Sequence, residues 1–203
     1  MRMLKQNDLF PDTVCEIGCG AGAILEQLQI QLDHNCVFYG YDISPQAIAL
    51  CLNRVNDNLH FKLRDITKEL NGELFDLLLI IDVIEHIEDY FDFLRKIKTK
   101  GEYKMFHIPL EINVFRVLRG YPMLNSWKNS GHIHNFTKET ALQSLVETGY
   151  EIVDYFYTCN FKRLNIKHWK TYVLQMVQRG AFAIHSDMAV RLFGGSSLMV
   201  LTK

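Results

Sequence analysis

The sequence has almost no net charge. Its 22 Lys and Arg against 23 Asp and Glu leave a formal -1, so no overall field exists for gripping a polyanion, and nonspecific nucleic-acid binding is not expected. Long apolar runs are lacking too. Met1 to Phe10 has no signal-peptide core, and the greasiest stretch, Leu74 to Ile84, is broken by Asp76 and Asp82, which excludes a transmembrane segment and points to a cytoplasmic protein. Paired cysteines are missing: Cys15, Cys19, Cys36, Cys51 and Cys159 are odd in number and contain no Cys-x-x-Cys. That argues against a cysteine zinc site and for buried, reduced thiols. Internal repeats and low-complexity tracts are absent as well.

What is present is a globular composition, 48% hydrophobic and 22% charged over 203 residues, enough to build one domain spanning 1–203. Apolar runs at Thr13–Ile17, Cys36–Tyr41, Leu59–Arg64, Phe75–Ile81 and Tyr103–Ile108 alternate with helix-period segments. This is the pattern of a parallel sheet wrapped by crossover helices. One helix starts near Gly22, and a second runs over Ser44–Val55 with Ser44 as cap and Pro45 in its first turn. Another covers Tyr90–Lys98. The alternation stops at Pro109–Phe136, which reads as a lid-like insertion, partly ordered with one short helix. Thr137 then caps a helix to Val146, Tyr150–Tyr157 gives a sixth strand, and Asn160–Phe193 is helical before a last strand at Ser197–Thr202.

The strongest chemical signal is Glu16-Ile17-Gly18-Cys19-Gly20-Ala21-Gly22, between the first strand and the first crossover helix. Glycines there permit a tight turn and close approach of a ligand to the backbone. Asp42 follows the second strand, where a carboxylate can accept from both hydroxyls of a ribose. The glycine run also satisfies the relaxed dinucleotide pattern through Gly18, Gly20 and Ala23. Glu16, Asp42, Asp65 and Asp82, however, put four carboxylates on one edge, an environment suited to a sulfonium and an ammonium and hostile to a diphosphate.

These motifs resemble those of the class I S-adenosylmethionine (SAM) dependent methyltransferases, especially the small-molecule group that includes ubiquinone-biosynthesis type enzymes. Glu16–Gly22 is similar to their first motif and Asp42 to their ribose acid. Arg64-Asp65-Ile66 is similar to their adenine turn, and Asp82-Val83-Ile84-Glu85-His86 to the motif after the fourth strand. The resemblance implies an α/β, Rossmann-like, mostly parallel seven-stranded sheet of order 3-2-1-4-5-7-6, with strand 7 antiparallel and helices on both faces. It also implies SAM as cofactor and S-adenosylhomocysteine (SAH) as product. Glu16, Gly18, Cys19, Gly20 and Gly22 would line the methionine moiety, Asp42 the ribose, Ile43, Asp65 and Ile66 the adenine, and Asp82 and Val83 the transferring methyl. The sequence departs from that group in having only about a dozen residues before the first strand, where the group has one or two covering helices.

His86 and His134 are the candidate general bases, with His107 and His132 in the same acceptor-side region. Glu85 beside His86 is not read as a metal site, because adjacent residues seldom present two ligands to one ion. Residues 151–203 hold seven Lys/Arg against three Asp/Glu, and Lys162, Arg163, Lys167, His168, Trp169 and Lys170 interleave basic and aromatic groups. The helical spacing of Trp169, Val173 and Met176 reads as a packed stripe with a solvated basic face. The sequence thus suggests a methyltransferase acting on a small molecule, with the acceptor atom and any homo-oligomer left open. The alternatives are an NAD(P)-dependent oxidoreductase and a SAM-binding protein without turnover.

Overall fold

The computed structural model of the chain describes residues 1–32, 35–68, 74–159, 161 and 169–203. Lys162, Arg163, Lys167 and His168 of the basic segment lie outside these, and the side chain of Lys170 is likewise not described.

Seven strands form one sheet, in the order β3-β2-β1-β4-β5-β7-β6. They are β1 Thr13–Ile17, β2 Val37–Asp42, β3 Leu59–Leu63, β4 Phe75–Ile81, β5 Gly101–Pro109, β6 Ile152–Cys159 and β7 Ser196–Thr202. The first five run parallel, while β7 is antiparallel to both β5 and β6. Strand β4 shows why the sheet is double-faced. Leu77 and Leu79 join one apolar cluster with Val14, Phe38 and Leu201, and the alternate residues Leu78 and Ile80 join another with Cys15, Tyr41 and Phe106. A central parallel strand must be apolar on both faces, which explains its unbroken hydrophobic run.

Helices close both faces. On one, α1 (Arg2–Gln6) contributes the buried Met3 and Leu4, and α2 (Ala23–Gln29) contributes Leu25. On the other, α4 (Tyr90–Ile97) supplies Phe93, Leu94 and Ile97, and α7 (Lys138–Glu147) supplies Ala141 and Leu145. Between them in sequence, α3 (Pro45–Cys51) starts as expected, with Ser44 Oγ accepting from Ala47 N at 3.2 Å. Thr137 likewise caps α7, in a reciprocal capping box with Thr140. A cap of this kind stabilises a helix by about 1 kcal/mol.

Two expectations are revised. The insertion 109–136 holds two helices, α5 (Val114–Arg119) and α6 (Tyr121–Ser130), where the sequence suggests one. Its order comes from a polar hub: Glu111 Oε1 accepts from Ser126 Oγ at 2.8 Å and pairs with Arg116 Nη1 at 2.9 Å, while Phe115 stacks on Phe193. The C-terminal helical stretch divides at His185 into α8 (Trp169–Ile184) and α9 (Ser186–Phe193). Finally, the stripe of α8 is not packed. Trp169 is 71% exposed and Val173 51%, because α8 is held mainly from its second half, where Gln178 is buried and Phe182 meets Tyr157 and Phe161. Of the cysteines, four are buried and Cys159 is partly so, and none is joined in a disulfide. Among the described residues no helix is long and apolar enough to cross a membrane.

Candidate active site

The register decides where the chemistry gathers. Ile17 pairs with Tyr41 of β2 and Ile80 of β4, and Tyr41 pairs with Lys62 of β3. The residues that follow these strands therefore emerge side by side at the carboxyl edge. Strand order reverses between β1 and β4, and it is at such a reversal that open α/β sheets leave a crevice. A cleft of about 430 Å³ opens there. Of the residues singled out from sequence, Gly18, Asp42, Ile43, Asp65, Ile66, Asp82, Val83 and His86 line it.

The glycine loop is tied to β2, since Gly18 N and Cys19 N both donate to Tyr41 O, at 2.8 and 3.2 Å. Gly18 has φ +73°, and a Cβ there would come within 2.9 Å of Val83 Cγ2, so both conformation and space require glycine. Gly20, at φ +54°, has nothing within 4 Å of where its Cβ would be. That open side is where a ligand can approach the backbone. Gly22 is the left-handed N-cap of α2.

Asp42 braces this loop. Its Oδ2 accepts from Gly20 N at 2.9 Å and its Oδ1 from Ser44 N at 2.8 Å. Each carboxylate oxygen keeps a further lone pair for a ligand. Glu16 lies just behind, 1% exposed, with Oε2 finding no hydrogen-bond partner among the described residues. Burial, aided by the Asp42 carboxylate, pushes its pKa up to about 8. Without a ligand, the buried Glu16 therefore favours its protonated form near neutral pH.

Asp65 caps its own turn: Oδ1 accepts from Thr67 N at 3.1 Å and Thr67 Oγ1 at 2.6 Å, and Oδ2 pairs with Lys68 at 3.2 Å. Burial works to raise this carboxyl, but those hydrogen bonds outweigh it and hold it below its usual range. Ile43 is exposed and Ile66 buried, both at the cleft wall. Asp82 has φ +52°, an uncommon conformation for a residue with a side chain. Its carboxylate lies 2.6 Å from His107 Nδ1, and His107 Nε2 lies 2.8 Å from Thr158 Oγ1.

The histidines separate. His86 stands in the cleft wall with Nδ1 3.0 Å from Gly131 O. A carbonyl only accepts, so Nδ1 carries the proton and Nε2 keeps a free lone pair. His134 is not in the wall; its Nε2 bonds Glu88 O at 3.1 Å and its ring meets Tyr90 edge-on. His132 packs at right angles on His86, ring centroids 4.9 Å apart. Glu85 is buried beneath this pair. Sequence reading put His132 in the acceptor-side region but not against Glu85 and His86, where the return of the 109–136 segment brings it.

Phe93, Thr67 and Ile87 also line the cleft and were not singled out from sequence. Phe93 could have been found from its place on the apolar stripe of α4, beside Leu94 and Ile97. Arg64 is a further wall residue: Nη1 donates to Tyr41 Oη at 2.8 Å while the guanidinium lies over the same ring, 4.8 Å from its centroid.

Comparison with known proteins agrees with this geometry. Residues 11–178 match the family described as "Methyltransferase domain". Among curated proteins, a probable (S)-tetrahydroprotoberberine N-methyltransferase 2 of Papaver bracteatum is 29% identical over 91 residues, 43% of this chain. The aligned stretch spans only 25% of that protein's length. Among solved structures, the N-methyltransferase NodS of Bradyrhizobium japonicum WM9 in complex with SAH superposes over 99% of this chain and 82% of its own, with a TM-score of 0.62 at 16% identity. Magnesium protoporphyrin IX methyltransferase of Synechocystis PCC 6803 with bound SAH gives 0.65 at 15% identity, over 99% of this chain and 78% of its own. A SAM-dependent methyltransferase of Archaeoglobus fulgidus gives 0.63 at 19%, over 100% and 91%.

Proposed function

Because this chain belongs to the methyltransferase-domain family, we propose that its cleft binds SAM and passes the sulfonium methyl to a small-molecule acceptor. The observation that carries this reading is a cleft lined by Gly18, Asp42, Asp65 and Asp82, with Asp42 accepting from the N–H of Gly20, whose open side leaves room for a ligand. A diphosphate would meet carboxylates there. A ligand bearing an ammonium and a sulfonium meets charges of the right sign, and it would draw the proton off Glu16.

In this reading Asp42, already holding Gly20 and Ser44, takes the ribose hydroxyls. Ile43 and Ile66 sandwich the adenine with Asp65 at its amino edge. Gly18, Cys19, Gly20 and Gly22 shape the methionine pocket, and Asp82 and Val83 border the methyl. An acceptor lone pair attacks the methyl carbon, the carbon–sulfur bond breaks, and its electron pair stays on sulfur, giving neutral SAH. Alignment and exclusion of water supply most of the rate. An amine acceptor needs no base. For a hydroxyl acceptor, His86 Nε2 is the group placed to take the proton; His134 is farther from the cleft and is the weaker candidate. Residues 1–203 act as one domain, with 109–136 and α8 covering the acceptor side.

Methyl-labelled SAM incubated with the protein and a panel of amines and hydroxyl compounds tests the proposal. Label should pass to an acceptor with wild type and fall at least about 100-fold with Asp42→Ala, equivalent to losing about 2.7 kcal/mol of binding to the reacting complex. Saturable SAH binding with no transfer to any acceptor would favour a binding protein without turnover.

A further inference from the structure

Glu85 is 1% exposed, and neither of its carboxylate oxygens finds a hydrogen-bond partner among the described residues. Burying such a group uncompensated is costly, and native structures avoid it. Around it the fold has placed two imidazoles. His86 closes the same short turn, Ile84–His86, and His132 returns from the far end of the 109–136 segment. One ligand-capable atom from each of Glu85, His86 and His132 lies within 4.8 Å of the others.

The hydrogen bonds behind these rings fix their roles. His86 Nδ1 donates to Gly131 O. His132 Nδ1 faces Glu111 Oε2 at 3.1 Å, and Glu111 is itself paired with Arg116. In the neutral ring, these bonds favour the tautomer with the proton on Nδ1, leaving Nε2 as the ligand atom. A carboxylate or carbonyl behind the distal nitrogen is the outer support that metal-binding histidines use. The main chain secures the set, because Ile133 N and His134 N both donate to Glu85 O, at 2.9 and 3.1 Å.

We propose that Glu85, His86 and His132 bind a divalent transition-metal ion, with its open coordination position toward the cleft that His86 lines. Two imidazole nitrogens and one carboxylate are a donor set for zinc, cobalt or iron, and a poor one for magnesium or calcium, which prefer oxygen. Metal bonds of about 2.0–2.2 Å would require donor atoms standing within 4.8 Å of one another to draw closer on binding.

The consequence for catalysis rests on the methyl-transfer reading. Coordination uses the His86 lone pair, so in the metal-bound enzyme the ion replaces the ring as the group that activates the acceptor. Held by Glu85, His86 and His132, such an ion would supply Lewis acidity to an acceptor hydroxyl, favouring loss of its proton to water before the oxygen takes the methyl group. The site thus selects oxygen acceptors.

The test uses full-length protein stripped with a chelator and titrated with cobalt(II), followed by visible d–d absorption, with zinc(II) competition by calorimetry. Wild type should take up one equivalent. Glu85→Gln and His132→Ala should each weaken uptake by at least about 10-fold, and Glu111→Gln by about 10-fold through loss of outer support. Thermal melting checks that each variant folds, and His132→Gln replaces His132→Ala if the latter does not. Absence of saturable cobalt binding to wild type, or equal affinity and spectrum in the folded variants, overturns the site. SAH binding is measured on the same samples. Metal failure with SAH binding intact refutes the metal site alone, whereas absence of SAH binding from both metal-free and metal-loaded wild type refutes the methyltransferase reading.

Discussion

The carboxylate of Asp82 meets Nδ1 of His107 at 2.6 Å, joining the residue just after β4 to one near the end of β5. Asp82 also donates its N–H to His107 O at 3.1 Å. These bonds hold Asp82 in a left-handed backbone conformation that costs roughly 1 kcal/mol. His107→Ala should therefore loosen the cleft wall and lower SAH affinity about 10-fold, a loss of about 1.4 kcal/mol. Asp82→Asn, which tolerates the same backbone and keeps the hydrogen bond, should lose less. Calorimetric titration of SAH into the two variants ranks them; equal affinities would show that the bond does not position the site.

Gly18 and Gly20 separate two kinds of glycine requirement. Alanine at Gly18 meets both an adverse φ and the Val83 methyl at 2.9 Å, whereas at Gly20 it meets only the φ. Gly18→Ala should destabilise the protein by roughly 1–3 kcal/mol, and adding Val83→Ala should recover part of that. Gly20→Ala should lower stability less, yet abolish SAH binding by filling the approach to the backbone. Urea unfolding paired with SAH titration distinguishes these outcomes.

Glu16 makes stability and binding depend on pH in opposite senses. Its folded pKa, about 8, lies above its ordinary value of 4.5. Folding therefore favours the protonated form. The stabilising contribution is complete below the ordinary value and is lost as pH rises through the folded one. The ligand-free protein should weaken progressively over that interval, and Glu16→Gln should flatten the profile and be more stable than wild type at alkaline pH. A cationic ligand reverses the preference, so SAM binding at pH 7 should release a fraction of a proton. Calorimetry in buffers of different ionisation enthalpy measures that release, and Glu16→Gln should abolish it.

The sheet was largely legible because its signal is local. Strand β4 announces itself by an unbroken apolar run, β1 by leading into the glycine loop, and α3 by Ser44-Pro45. The edge residues follow from strand ends, so Asp42, Asp65 and Asp82 could be located without coordinates. What escaped was short, or distant in sequence. Helix α1 has only five residues, too few to show a period, although Met3 and Leu4 are buried. The exposed stripe of α8 has the spacing of a packed helix, since periodicity tells which side is apolar and not what covers it. The meeting of His132 with Glu85 depends on the hub of Glu111, Arg116 and Ser126 that folds the 109–136 segment back, and no local pattern encodes that return. The protonation of Glu16 also lies beyond sequence, because it depends on burial.

Competition between SAH and NADH for the cleft tests the central claim most directly. Calorimetry should show SAH binding with one site per chain, a loss of at least about 100-fold in affinity with Asp42→Ala, equivalent to about 2.7 kcal/mol, and no displacement by NADH. Saturable NADH binding that Asp42→Ala abolishes, with no heat from SAH, would contradict it.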